Sequence, residues 1–260
     1  MLILLPPSEG KTAPKRGKAL DLGALGLPGL TSAREVVLHA LVALCRDDPE
    51  KAAVILDVPR SQLGLVARNA GLLTAPTARA DHVYTGVLYD ALDAPGLSAA
   101  AKRRATGRLA ITSSLFGLVG PGDRIPAYRL SGDAVLPGVG NIASHWRDHL
   151  GPAVAAARGG GLLVDLRSTM YAAFWRPPAE QARHVATVRV LHEVAPGRRQ
   201  IVSHFNKATK GRIVRALLED GANPSSPAKL AAVLRDLRWT VEVGEPTRKG
   251  TQLDVVVSEL

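Results

Sequence analysis

Four short segments hold most of the residues able to do chemistry, and each begins where an apolar, strand-forming run stops. Leu2-Ile-Leu-Leu5 runs into Pro7-Ser-Glu-Gly-Lys-Thr12, and Leu109-Ala-Ile-Thr112 into Ser113-Ser-Leu-Phe-Gly117. Leu162-Leu-Val164 runs into Asp165-Leu-Arg-Ser-Thr-Met-Tyr171, and the stretch from Gln200 into Ser203-His-Phe-Asn-Lys207. Ligands of open α/β sheets bind outside the carboxyl ends of the strands, so four polar strand ends point to one shared site. The chemistry is that of a cleft for anions. Lys11, Arg129, Arg167, Lys207 and Lys210 supply positive charge, while Tyr84, Ser113, Tyr128, Ser168, Tyr171 and Asn206 supply hydrogen bonds. Ser8, Lys11, Ser114, Asp165 and His204 are the candidates for a reacting group. No nucleophile, base and orienting group can be read as a set from sequence.

Each of these residues has a plainer role to weigh. Gly10-Lys11-Thr12 after a strand invites a phosphate-loop reading, but that motif needs glycine five positions before Gly10, where Leu5 stands. Lys11 is therefore a point charge at a strand end or a surface lysine. Ser168 opens a helix after a strand, so Arg167 beside it could add a guanidinium fork to an anion site, or Ser168 is an ordinary N-cap. Asp165 could orient Arg167, act as a base or form a structural ion pair. Ser113 and Ser114 lack the Gly-x-Ser-x-Gly setting of a nucleophile elbow. Tyr84, Tyr128 and Tyr171 suit ligand contact or burial with satisfied hydroxyls.

The segment 194–218 holds six Lys/Arg and no acid. Helical spacing over 207–219 puts Ile213, Val214, Leu217 and Leu218 on the inner face, with Lys207 and Lys210 one turn earlier on that face and Arg212 and Arg215 pointing away. Lysines on an apolar stripe are costly unless paired or facing a cleft. Asn206 offers an N-cap, Gly211 permits close approach of another backbone, and His204 just ahead is a base or phosphate contact. The remaining histidines show no metal-binding spacing, so neither metal nor cofactor is expected.

These residues need a scaffold. A helix over 31–46, capped by Ser32 with Glu35 completing a capping box, is followed by short helical pieces at 49–57 and 60–70 and another at 98–107. Strand-like runs at 109–112, 162–165, 185–191, 200–204, 239–243 and 253–257 then alternate with helices at 141–157, 169–175, 207–219 and 226–236. That alternation predicts an α/β fold, a mixed β-sheet flanked by helices, as one domain over residues 1–260. The apolar start, five residues long, is too short for a signal peptide or a membrane span, and the single cysteine, Cys45, forbids an internal disulfide. A cytoplasmic protein with no membrane partner is expected.

A net charge of +10 argues for polyanionic partners through steering and counterion release. Arginine outnumbers lysine 24 to 9, so part of that charge reflects composition rather than a site. Aromatic content of 4% leaves few stacking platforms for single strands.

Taken together, the motifs resemble the YaaA peroxide-stress family, also grouped as DUF328 or UPF0246. The opening strand with its Ser-containing turn ending in Lys11-Thr12, the element Val83-Tyr-Thr-Gly86, Ser113–Gly117 leading to Pro126-Ala-Tyr-Arg-Leu130, Asp165–Tyr171, and Ser203–Lys207 with Lys210-Gly211 keep the family's order and spacing. The resemblance implies a mixed α/β fold with a positively charged cleft, a helix-hairpin-helix element within a helical segment at 31–75, DNA binding, and a role in limiting oxidative damage. Many relatives open Ser-Pro-Ala-Lys-Thr where this chain reads Pro-Pro-Ser-Glu-Gly-Lys-Thr, and the hairpin position here is Asp57-Val-Pro-Arg60. Two functions follow: a nucleic-acid-binding stress protein, or an enzyme for a small anionic, nucleotide-like substrate in the same cleft.

Overall fold

The structure is a computed structural model that describes residues 1–195 and 198–258. Eight strands form its main sheet: β1 (Leu2–Leu5), β2 (Leu109–Ser113), β3 (Gly117–Val119), β4 (Leu163–Asp165), β5 (Val185–Ala195), β6 (Arg198–Gln200), β7 (Thr240–Thr247) and β8 (Gly250–Val257). The order is β7-β8-β5-β4-β1-β2-β3, with β6 also on β5. Strand β1 is apolar at every position because it lies between two parallel neighbours under cover on both faces. Ile3 pairs with Leu109 and Leu4 with Ala110 on one side, while Leu2 pairs with Leu163 and Leu4 with Asp165 on the other. β4 to β5 and β5 to β8 are also parallel, whereas the outer pairs β2–β3 and β7–β8 are antiparallel. The sheet is therefore mixed, and β1, β2 and β4 release their chains at the same edge.

Among the described residues, eight α-helices of six residues or more accompany the sheet: α1 (Thr31–Asp47), α2 (Pro49–Ile55), α3 (Gly64–Ala70), α4 (Val87–Leu92), α5 (Ala99–Arg108), α6 (Ile142–Arg158), α7 (Ser203–Asp220) and α8 (Pro227–Asp236). Half of them begin with a side-chain cap: Asp48, Ser98, Asn141 and Ser226 accept a hydrogen bond from the amide three residues ahead. α1 does not. A 3₁₀ turn over Pro28–Leu30 runs straight into it, so Ser32 lies inside the helix and the expected capping box does not form.

α7 also starts earlier than expected. β5 extends past the end of β4, and its free edge takes up β6, with Gln200 opposite His192. The chain then turns into helix at Ser203, and Asn206 donates its amide to the Val202 carbonyl. The strand expected at 200–204 is thus cut to β6. Asn206 sits within the first turns rather than at the cap, and His204 is in the helix rather than ahead of it. Ile213, Val214, Leu217 and Leu218 are fully buried as expected. Gly211 lets α7 press on α4: a Cβ there would lie 2.2 Å from the Leu88 carbonyl oxygen.

Within 31–75, α2 and α3 are joined through Leu56–Leu63. The amides of Leu56, Asp57 and Val58 bond back to the Ala52, Val54 and Ala53 carbonyls, and Pro59 has no amide to give. Leu56, Val58 and Val66 join the same apolar cluster that covers β1 and β2. Among the described residues, no helix is long and apolar enough to cross a membrane.

Candidate functional site

The turn after β1 is laid against the Val83–Gly86 element. Lys11 forms a bridge to Tyr84, Thr12 donates its amide to the Val83 carbonyl, and the Ser8 hydroxyl receives the Thr85 amide while donating to the Gly10 carbonyl. Both Ser8 hydrogen-bonding directions are used in holding this turn. Lys11 is half-buried, its Nζ donating to the Ser8 carbonyl at 2.7 Å and resting 4.4 Å from the centre of the Tyr128 ring. Burial pushes its pKa down to about 8, Glu9 pulls upward, and the Arg129 charge pushes down again.

Beneath Lys11 lies a buried chain of hydroxyls. The Tyr84 and Tyr128 hydroxyls are 2.9 Å apart, and Ser113 Oγ is 2.8 Å from Tyr128 while accepting the Phe116 amide. Burial raises the pKa of both tyrosines, so they stay neutral and serve as hydrogen-bond links. Tyr84 also stacks on Tyr89, whose hydroxyl donates to the Pro6 carbonyl. Ser114 points elsewhere, donating to the Leu130 carbonyl at 2.6 Å.

Arg129 stands at the rim. Its backbone is fixed by Asn69, which accepts the Arg129 amide at 2.9 Å and donates to its carbonyl at 2.6 Å. Its guanidinium pairs with the Glu9 carboxylate, and the Tyr171 hydroxyl donates to the other Glu9 oxygen at 3.5 Å. Burial raises the Tyr171 pKa, with nearby Tyr128 and Glu9 adding to it.

At the end of β4 the positive charge is enclosed. Arg167 Nε and Nη2 fork onto Asp165 at 2.9 and 2.8 Å, Nη1 donates to the Tyr171 carbonyl, and Nη2 also reaches the Trp175 carbonyl. Its side chain is 1% exposed. Asp165 thus orients Arg167 and also accepts its backbone amide. Lys210, half-buried, donates to the Leu166 carbonyl at 3.1 Å; burial lowers its pKa and Asp165 raises it. Tyr171 joins the two halves, its hydroxyl on Glu9 and its carbonyl on Arg167.

The other expected residues lie outside this arrangement. Ser168 is exposed at the start of a four-residue helical turn and makes no side-chain cap bond. Asn206 is half-buried, and His204 and Lys207 are exposed on α7. Lys210 faces inward as expected, and Lys207 does not. Arg212 points out; Arg215, expected to do the same, reaches back to the Leu92 and Gly96 carbonyls.

A family profile described as peroxide stress protein YaaA matches residues 1–242. The chain belongs to the YaaA peroxide stress family. It is 53% identical over 262 residues to a UPF0246 protein of Streptomyces coelicolor, covering 100% of both chains. It is 39% identical to a UPF0246 protein of Corynebacterium efficiens, over 98% of this chain and 100% of that one. A UPF0246 protein of Shewanella baltica is 27% identical over 95% and 96% of the two chains.

For this YaaA-family chain, reading the sequence alone missed three contributors. Glu9 was visible only as an acid beside Lys11, with nothing to say that its carboxylate reaches Arg129, 120 residues away. Asn69, fully buried, had a local signal: an amide side chain within an apolar helical pattern. Tyr89 had none.

Proposed function

We propose that this member of the YaaA family binds a small anionic ligand at the carboxyl ends of β1, β2 and β4, as an enzyme would hold its substrate. The supporting observation is the convergence of Lys11 and Arg129, from turns over 110 residues apart, above the Tyr84–Tyr128–Ser113 hydroxyl chain. Half-buried cations over buried hydrogen-bonding groups suit a ligand that enters a recess better than a flat duplex surface. A thermal-shift panel of nucleotides, phosphates and carboxylates tests it: at least one compound should stabilise the protein, and Lys11→Ala and Arg129→Ala should each abolish the shift. A panel without a hit contradicts the proposal.

A second reading, nucleic-acid binding, draws support from the exposed Lys207 and Arg212 on α7 and the net charge of +10. The α2–α3 connection contributes little to it, since its first amides are spent within the turn. If DNA is the ligand, affinity falls steeply with salt, and Lys207→Ala lowers the log–log salt slope by about 1. Affinity insensitive to salt rules this reading out.

A further inference from the structure

The rim of the proposed site contains a cation whose partner is unusually easy to remove. Arg129 is presented by a backbone that Asn69 grips from both sides, so its position does not depend on its guanidinium contacts. Among the described residues that guanidinium pairs with Glu9 alone. Arg129 is 19% exposed and Glu9 56% exposed. An ion pair this open to water adds little to stability, so neither residue owes its place to the fold. The contrast is Arg167, whose fork is closed by a carboxylate and two carbonyls out of solvent.

The main chain on both sides of Glu9 is fixed. Ser8 is tied to Gly10 and Thr85, and Lys11 is bridged to Tyr84. The side chain between them is the part that can move, by rotation into solvent without a backbone change. When it leaves, Arg129 and the Tyr171 hydroxyl face one position with no anion in it, while the Lys11 ammonium stays on the backbone carbonyls of Ser8 and Glu9. A carboxylate placed there already shows what the position accepts: an oxyanion taking a guanidinium on one oxygen and a phenol on the other.

We propose that Glu9 is a self-ligand, its carboxylate holding the seat of the ligand's oxyanion on Arg129 and Tyr171 and yielding it to a phosphoryl or carboxylate group when ligand binds. The inference rests on the anionic-ligand reading and adds that the wild-type chain competes with its own substrate for the seat. It requires binding to be weaker than the exposed cations alone would give, because the incoming oxyanion must displace one negative charge or approach it.

Glu9→Gln keeps the side-chain shape and removes the competing charge. Titration calorimetry with inorganic pyrophosphate and, separately, with oxalate should find at least one of them bound roughly tenfold more tightly by Glu9→Gln than by the wild type, as expected for removing one like charge at close range. Arg129→Ala in the Glu9→Gln background should abolish the gain. Circular dichroism establishes that each variant is folded. If the wild type binds either probe and Glu9→Gln binds neither of them more tightly, the self-ligand is wrong while the site stands. If the folded wild type and Glu9→Gln both bind neither probe, the site itself is wrong. The probe that gains more identifies the oxyanion class.

Discussion

Arg167 and Arg129 each follow the end of a strand or turn at the same edge of the sheet, and each faces a carboxylate. Around Arg167 the carboxylate comes from Asp165, two residues away, and two backbone carbonyls complete the enclosure. Around Arg129 the carboxylate comes from Glu9 on a distant loop, more than half exposed. One arginine is a structural joint that locks the Asp165–Trp175 turn. The other is a charge held ready at a rim. The difference lies in how many of the guanidinium donors are spent and how dry the spending is, and residue type alone does not report it.

Breaking the buried joint should have the largest effect. Asp165→Ala leaves the Arg167 charge enclosed and unpaired, and should cost about 3–5 kcal/mol in urea unfolding. A loss below about 1 kcal/mol would mean that the two clusters are not different in kind. Next comes the rim: Lys11→Ala should weaken the binding of whichever oxyanion the wild type takes by about tenfold or more, in a protein that circular dichroism shows to be folded.

The pH dependence sharpens the same contrast. Oxyanion binding at the rim needs a charged Lys11, so affinity should fall as pH rises through about 8 rather than near the ordinary lysine value of 10.5. Lys11→Arg, which stays charged, should remove that step. Stability moves the opposite way. The folded pKa of Lys11 lies below its unfolded value, so between about 8 and 10.5 the unfolded chain holds the extra proton, and this group costs stability most below 8 and progressively less up to 10.5. Chemical denaturation of the wild type against Lys11→Met at pH 7 and pH 10 should show the variant's relative advantage shrinking as pH rises. The smallest effect belongs to the exposed pair: Glu9→Gln should leave unfolding within about 1 kcal/mol of wild type.

Much of this arrangement was legible from one sequence. Apolar runs ending in polar turns located β1, β2 and β4 and the edge at which they open, because a buried parallel strand must be apolar throughout and its polar residues must wait for its end. The inner face of α7 and the close approach at Gly211 followed from helical spacing and a missing side chain. The start of α7 did not, since β6 and the helix divide residues 198–206 according to which edge of β5 is free, a tertiary fact. The tyrosines illustrate the same limit: their spacing suited a ligand or a core, and only the 2.8 and 2.9 Å hydroxyl contacts show that Tyr84 and Tyr128 satisfy each other and Ser113. Glu9 was hidden because its partner is set by how the loop after β1 folds over the sheet edge.

The seat at the rim can be tested directly by soaking crystals in tungstate and locating the anomalous peak. Density is expected within hydrogen-bonding distance of Arg129 and the Tyr171 hydroxyl, with the Glu9 side chain turned away. Peaks confined to the exposed face of α7 at Lys207 and Arg212, with Glu9 still on Arg129, would contradict it.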